Sequence, residues 1–275
     1  MKAYLDLLHR IRTHGRPHHD RTGVGTISVF GHQMRHDLST GFPLLTTKRV
    51  HWKSIIVELL WFLRGETTLE YLHHHGVTIW DEWASPQGHL GPIYGQQWRR
   101  WKAPIPEDHE SQRKFYTVDQ IADLEFAIRQ NPDSRRLCVS AWNPADVPQM
   151  AMPPCHPFWQ CRVIEGKLNI HLAMRSTDAF LGLPFNFASY AALLQILAYR
   201  AGLAAGELVV SFGDLHIYNN HRDQVEEQLQ REPRSLPWLH IDPAVRDLPL
   251  AQLEPNHFGI LNYDPHPPIK APVAI

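Results

Sequence analysis

Cys155 stands beside His156 within Met152-Pro153-Pro154-Cys155-His156-Pro157-Phe158-Trp159-Gln160. The flanking prolines lack amide protons and exclude a regular helix or central strand there. A thiol in such a stiff turn, next to an imidazole and ahead of an apolar run, is how a presented nucleophile would look. The same dipeptide also fits a small buried hydrophobe, since free cysteine is among the most buried residue types. Glu58 is the second candidate. Between Ile55 and Leu63 it is the only polar side chain. A helix apolar on nearly every side is buried, and desolvation raises a carboxyl pKa. That suits a general acid or base, and equally a structural carboxylate bonded to backbone.

Other groups suit an oxyanion or a polar ligand. Asp20-Arg21-Thr22-Gly23-Val24-Gly25-Thr26 places two glycines beside a cation and hydroxyls, but lacks the P-loop lysine and also reads as an ordinary turn. Arg135-Arg136 precedes a strand, where guanidinium forks suit phosphate or carboxylate and a solvated charge pair is the alternative. Asp214, His216 and Tyr218 recur at period 2, on one face of a strand. The aromatics of Ile79-Trp80-Asp81-Glu82-Trp83 and around Tyr94 either wall a flat ring or belong to the core.

The positioning elements follow from pattern. Tyr4, Leu5, Leu7, Leu8 and Ile11 outline an amphipathic helix that breaks at His14-Gly15-Arg16-Pro17. Residues 27–31 and 33–35 read as two short strands. A helix over 54–65 has Ser54 as its cap and Gly65 as its stop. Another helix runs over 118–130. Residues 158–164 and 168–174 alternate across Glu165-Gly166-Lys167 as a hairpin. Asn186 reads as the cap of an apolar helix over 187–201, closed by Gly202, and a strand covers 209–218. Residues 102–118 are polar and read as a surface excursion. The proline-rich end, Tyr263 to Ile275, finishes in apolar residues and is expected to dock.

Composition narrows the class. The 275 residues carry a net charge of -1, with 43% hydrophobic and 20% charged residues. That balance is ordinary for a soluble protein and argues against a general nucleic-acid binder. No apolar run reaches the ~18 residues of a membrane span. The start lacks the apolar stretch of a signal peptide. Three cysteines give no disulfide framework and suit the reducing cytoplasm. The 19 histidines, clustered at His18-His19 and His73-His74-His75, lack metal-ligand spacing; a solvated surface and no metal are expected.

Taken in order, these motifs resemble the thymidylate synthase family. The likeness rests on Asp20-Arg-Thr-Gly-x-Gly-Thr, Phe42-Pro-x-x-Thr-Thr-Lys48, Glu58-Leu-Leu-Trp-Phe-Leu, Ile79-Trp-Asp-Glu-Trp83 and Gly91-Pro-x-Tyr94-Gly. It continues through Asp133-Ser-Arg-Arg136, Pro154-Cys155-His156, Arg175-Ser-x-Asp178-x-Phe-Leu-Gly-x-Pro-Phe-Asn186, Gly213-Asp-x-His216-x-Tyr218 and the tail from Asp264. The resemblance implies a single α/β (α+β) domain over 1–275, a twisted mixed sheet covered by helices, with sheets packed back to back in a homodimer. It implies reductive methylation of dUMP to dTMP, with 5,10-methylenetetrahydrofolate as co-substrate and neither metal nor nicotinamide cofactor.

Residue by residue, the resemblance makes Cys155 the nucleophile at uracil C6. Arg175 binds phosphate and supports the thiolate, with Arg21, Ser176 and the other subunit's copies of Arg135 and Arg136 completing the grip. Asn186 reads the uracil edge, and His216 with Tyr218 the ribose hydroxyl. Glu58, His156 and Tyr94 manage water and protons. Asp178 binds the pterin, and His51, Ile79, Trp80, Trp83, Leu181, Gly182, Phe185 and Ala274 line the folate. Two departures stand out: Met174 replaces the family's usual glutamine before the arginine, and Phe212 a more common glycine. A thioether cannot replace an amide's hydrogen bonds. The rivals are therefore a dUMP hydroxymethylase, a turnover-deficient nucleotide-binding relative and, on the Cys-His pair alone, a hydrolase.

Overall fold

The computed structural model describes residues 2–104 and 115–274. Helix α1 (Lys2–His14) buries Tyr4, Leu7, Leu8 and Ile11, the stripe its spacing predicts. Strands β1 (Arg16–His18) and β2 (Thr26–Asp37) follow, then helices α2 (Trp52–Arg64), α3 (Glu70–His74) and α4 (Tyr94–Arg99). Strands β3 (Trp101–Pro104) and β4 (Phe115–Val118) lead to α5 (Gln120–Gln130) and β5 (Cys138–Ser140). Next come β6 (Phe158–Ile164), β7 (Lys167–Asp178), α6 (Gly182–Ala201), β8 (Ala204–Tyr218) and α7 (Arg222–Leu229). A ribbon of β9 (Trp238–Ile241) and β10 (Phe258–Leu261) precedes the tail.

Six strands form one mixed sheet in the order β1-β2-β8-β7-β6-β5. Only β7 and β8 run parallel, and α6 is the crossover such a pair requires. The sheet, α6 and α2 share one core, and α2 is buried from Ser54 through Leu63. At the β6–β7 turn Glu165 (φ 50°) and Gly166 (φ 74°) take the two positive dihedrals of a two-residue hairpin. Phe30 on β2 is 87% exposed, an apolar ring left bare on the sheet. No described helix is long and apolar enough to cross a membrane.

Three sequence expectations are corrected. The two short strands are the single strand β2, kinked at Gly31, whose φ is 75°. The kink crosses the sheet: Gly31 and Gly213 drop out of the β2–β8 pairing, and Arg175 and Gly213 out of the β7–β8 pairing. A Cβ on Gly213 would lie 3.0 Å from the Arg175 carbonyl, so glycine allows this close approach. Ser54 does not cap α2. The helix starts two residues earlier, His51 takes the cap position, and the His51 ring and the Ser54 hydroxyl pair at 2.8 Å. Nor does Asn186 cap α6, which starts at Gly182. Asp178 has already turned the chain by accepting from the Phe180 and Leu181 amides at 2.9 and 3.2 Å.

Strands β3 and β4 pair as an antiparallel ribbon, with Phe115 and Tyr116 exposed. The rest of the predicted excursion, 105–114, lies outside the described residues. The tail docks as far as Pro272, whereas Val273 in its apolar end is exposed and Ile275 lies outside the described residues. His266 N–H donates to Thr46 O (2.8 Å), Ile269 is buried, and His221 Nε2 meets Pro272 O at 2.7 Å.

Candidate active site

The sheet kink passes beside Cys155 at Arg175. Arg175, which has no register partner on β8, donates its amide to the Cys155 carbonyl at 2.9 Å. From α4, the Tyr94 hydroxyl accepts from the Cys155 amide at 2.7 Å. Both backbone groups of the cysteine are thus fixed by separate elements. The Arg175 side chain holds the same turn, Nε donating to Pro154 O (2.8 Å) and Nη2 to Pro153 O (2.7 Å). Its Nη2 lies 4.0 Å from Cys155 Sγ. Burial pushes the thiol pKa up, and the charges of Arg175 and Arg21 oppose that rise. The resting group is a thiol with two cations ready to stabilise its anion.

Behind the cysteine stands a buried wall. Glu58 is 8% exposed and accepts from the Trp80 indole N–H at 2.7 Å. Burial raises its pKa from 4.5 to about 7, with the Trp80 bond working against the rise. The backbone-bonded alternative is therefore not what the structure shows, since an indole is the partner. His156 stacks on Tyr94 at 4.1 Å, and its Nδ1 is 2.8 Å from the Tyr190 hydroxyl. Burial, with a smaller push from Arg175, lowers the imidazole pKa to about 3. His156 is therefore uncharged at neutral pH. Met174 is buried at 2% exposure and lies directly opposite Phe212 across β7 and β8.

The opposite rim is charged and polar. His216 Nδ1 meets Asp214 Oδ1 at 2.6 Å, and the His216 and Tyr218 rings lie 5.0 Å apart, as the period-2 reading required. Burial lifts the Tyr218 pKa to about 12. Asp20 organises the glycine loop by accepting from the Thr22 and Gly25 amides (3.1 and 2.7 Å), which leaves Arg21 exposed. Burial would raise the Asp178 pKa, but His221 and the Phe180 amide hold it below the ordinary carboxylate value. Lys48, from the Thr-Thr-Lys motif, is buried and donates to Phe180 O at 2.6 Å, pinning the loop after Asp178.

Ile79, Trp83, Leu181, Phe185 and Asn186 are half-buried, and the Trp83 indole N–H is buried without a partner among the described residues. Asn186 makes no described side-chain hydrogen bond, and Gly182 packs near it and Asp178. Ser176 pairs across from Asp214 on β8. Trp80, by contrast, is buried with its N–H spent on Glu58. His51 is exposed at the start of α2, and Ala274 is half-buried in the tail. Arg135 and Arg136 are exposed ahead of β5, and no described contact joins them to Cys155 in this chain. Sequence reading missed Tyr190 and His221 and gave Lys48 no role. Tyr190 hides in an apolar helix, whereas a lysine inside an otherwise uncharged motif was a usable signal. No group of three or more His, Cys, Asp or Glu side chains suited to a metal occurs among the described residues.

A mixed α/β sheet that presents a cysteine between arginines, against a wall of neutral hydrogen-bonding groups, is the framework of an enzyme built for covalent chemistry on a polar, charged substrate. The family model described as thymidylate synthase matches residues 2–275. The chain belongs to the thymidylate synthase family, whose members are methyltransferases of dTMP biosynthesis.

Proposed function

We propose that the chain is a cytoplasmic thymidylate synthase, converting dUMP to dTMP as a homodimer with shared active sites. The observation that carries this reading is the grip of Arg175 on the cysteine turn, through the backbone and at 4.0 Å from Sγ. A phosphate on the arginine would set a pyrimidine beside the thiol. The methylenetetrahydrofolate co-substrate supplies the one-carbon unit and the hydride. Ile79, Trp83, Leu181 and Phe185 fit a flat ring, and the unpartnered Trp83 N–H and the ionised Asp178 offer it a donor and an acceptor.

Cys155 releases its thiol proton to solvent, and Arg175 and Arg21 stabilise the thiolate. The sulfur adds to uracil C6 as the C5–C6 π pair moves toward the ring carbonyl. Asn186, without a side-chain hydrogen bond among the described residues, reads the ring's amide edge, and His216 and Tyr218 hold the ribose. Glu58, with its pKa near 7, exchanges protons at the ring carbonyl side. Arg135 and Arg136 act in the neighbouring subunit's site, and the bare Phe30 ring supports a sheet that packs on a second copy.

The test is product analysis with dUMP and methylenetetrahydrofolate. Wild type is expected to give dTMP and dihydrofolate, and Cys155→Ser neither. Hydroxymethyl-dUMP with tetrahydrofolate would instead establish the hydroxymethylase reading, which buried Met174 favours because it brings no amide to the water network. Tight dUMP binding without product would establish a ligand-binding relative.

A further inference from the structure

Tyr190 reaches the site from α6 and has no role in the chemistry above. Its hydroxyl is 2.8 Å from His156 Nδ1, and the two rings meet edge to face at 5.2 Å. Tyr94 stacks on the imidazole at 4.1 Å and Phe62 lies 6.3 Å away. Both His156 and Tyr190 are buried, at 5% and 2% exposure. The ring is held in one orientation, with Nδ1 committed to the phenol.

Counting protons decides which nitrogen carries one. If Nδ1 carried the proton it would donate to the phenol oxygen, and the phenol's own hydrogen would have no acceptor among the described residues. A buried donor left unpaired bears its full desolvation penalty. If the phenol donates to Nδ1, both atoms are satisfied and the imidazole proton sits on Nε2. The phenol keeps its hydrogen, because burial above all raises its pKa. His216 shows the opposite arrangement. Its Nδ1 faces the Asp214 carboxylate, which only accepts, so there Nδ1 carries a proton.

We propose that Tyr190 is a positioning residue that locks His156 as the Nε2–H tautomer, so that the imidazole offers the site a fixed donor and takes no proton from Cys155. The groups facing the ring agree. Tyr94 and Phe62 are neutral, and the Arg175 cation disfavours a second positive charge. The inference rests on Cys155 being the reaction centre, and it deepens that reading by removing His156 from the bases available to the thiol.

The experiment uses full-length protein with 15N-labelled histidine, the His156 signals being assigned by their loss in His156→Gln. From about pH 5.5 to about 9, well across an ordinary histidine titration, His156 is expected to keep a protonated Nε2 and an unprotonated Nδ1. Tyr190→Phe removes one oxygen; it is expected to turn these signals into a tautomer mixture and to lower kcat/KM by roughly three- to thirtyfold. A purely structural role would lower Tm but leave the tautomer unchanged, and that result overturns the proposal. So would a protonated Nδ1 in wild type, or a His156 titration within this range. The spectra need no substrate, so failure to make dTMP would sink the functional reading without touching this one.

Discussion

The site has two sides built on opposite electrostatic principles. On the wall, Glu58, His156, Tyr94 and Tyr190 are buried, and burial drives each toward its uncharged form. On the rim, Asp178 and Asp214 are held below the ordinary carboxylate range, Asp214 chiefly by its bond to His216 and Asp178 against the pull of its burial. The two histidines make the contrast concrete, since His156 leans on a phenol and His216 on a carboxylate. A buried wall of neutral donors and acceptors can move protons with little reorganisation. The rim's cations, Arg21 and Arg175, can hold an anion, and its carboxylates can orient donors. Cys155 sits on the seam, its thiol raised by the wall and lowered by the rim.

The comparison breaks most severely at Glu58. Glu58→Gln keeps the shape and the Trp80 bond but removes the titration, and kcat is expected to fall by roughly 10²–10⁴, the usual weight of a positioned acid or base. Stability gives a second readout. The native pKa of about 7 stands above the ordinary 4.5, so the folded state holds this proton more tightly. That stabilisation is fully present below pH 4.5 and is lost as pH rises through about 7. It amounts to on the order of 3 kcal/mol. Urea denaturation of Glu58→Gln across that window should show a flatter dependence on pH than wild type. An equal slope would mean the carboxyl is not desolvated.

Next comes the rim. Arg175→Lys keeps the charge but loses the fork that reaches Pro153 O and Pro154 O together. The turn loosens and the thiol loses part of its offsetting cation. We expect kcat/KM for the nucleotide to drop roughly ten- to a hundredfold, and alkylation of Cys155 by iodoacetamide to need a higher pH. Unchanged alkylation would show that the arginine acts on substrate alone. Smaller still is Trp80→Phe. The indole bond is the one contribution that lowers the Glu58 pKa. Its loss should move the Glu58 midpoint upward in the pH profile of kcat, by roughly one unit for a bond worth about 1–1.5 kcal/mol.

How legible each side was follows from where its contacts lie along the chain. The wall's Glu58 stood out because an acid inside an apolar helix breaks a local pattern, and the rim's Asp214, His216 and Tyr218 because a strand repeats every second residue. The partners were hidden. Trp80 is 22 residues from Glu58 and Tyr190 is 34 from His156, and no local periodicity reports such pairs. The kink through Gly31, Gly213 and Arg175 joins three strands distant in sequence; read locally, β2 simply breaks in two. Asn186 shows the converse error. An asparagine before an apolar run looks like a cap, but Asp178 had already supplied the turn.

The smallest effect lies outside the site, where histidine is plentiful and the environment wet. His73 Nε2 meets Asp81 Oδ1 at 2.8 Å, yet the two side chains are 48% and 40% exposed. Solvent screens such a pair, and its worth is about 0–1 kcal/mol. His73→Ala should therefore leave kcat and KM unchanged and shift the urea midpoint barely at all. The same substitution at His156 would remove the stack on Tyr94 and the phenol's only described partner together. If His73→Ala impaired catalysis as His156→Ala should, burial would not be what separates the wall's histidine from the surface ones. The tautomer argument at Tyr190 would then lose its physical basis, because it depends on a donor that water cannot reach.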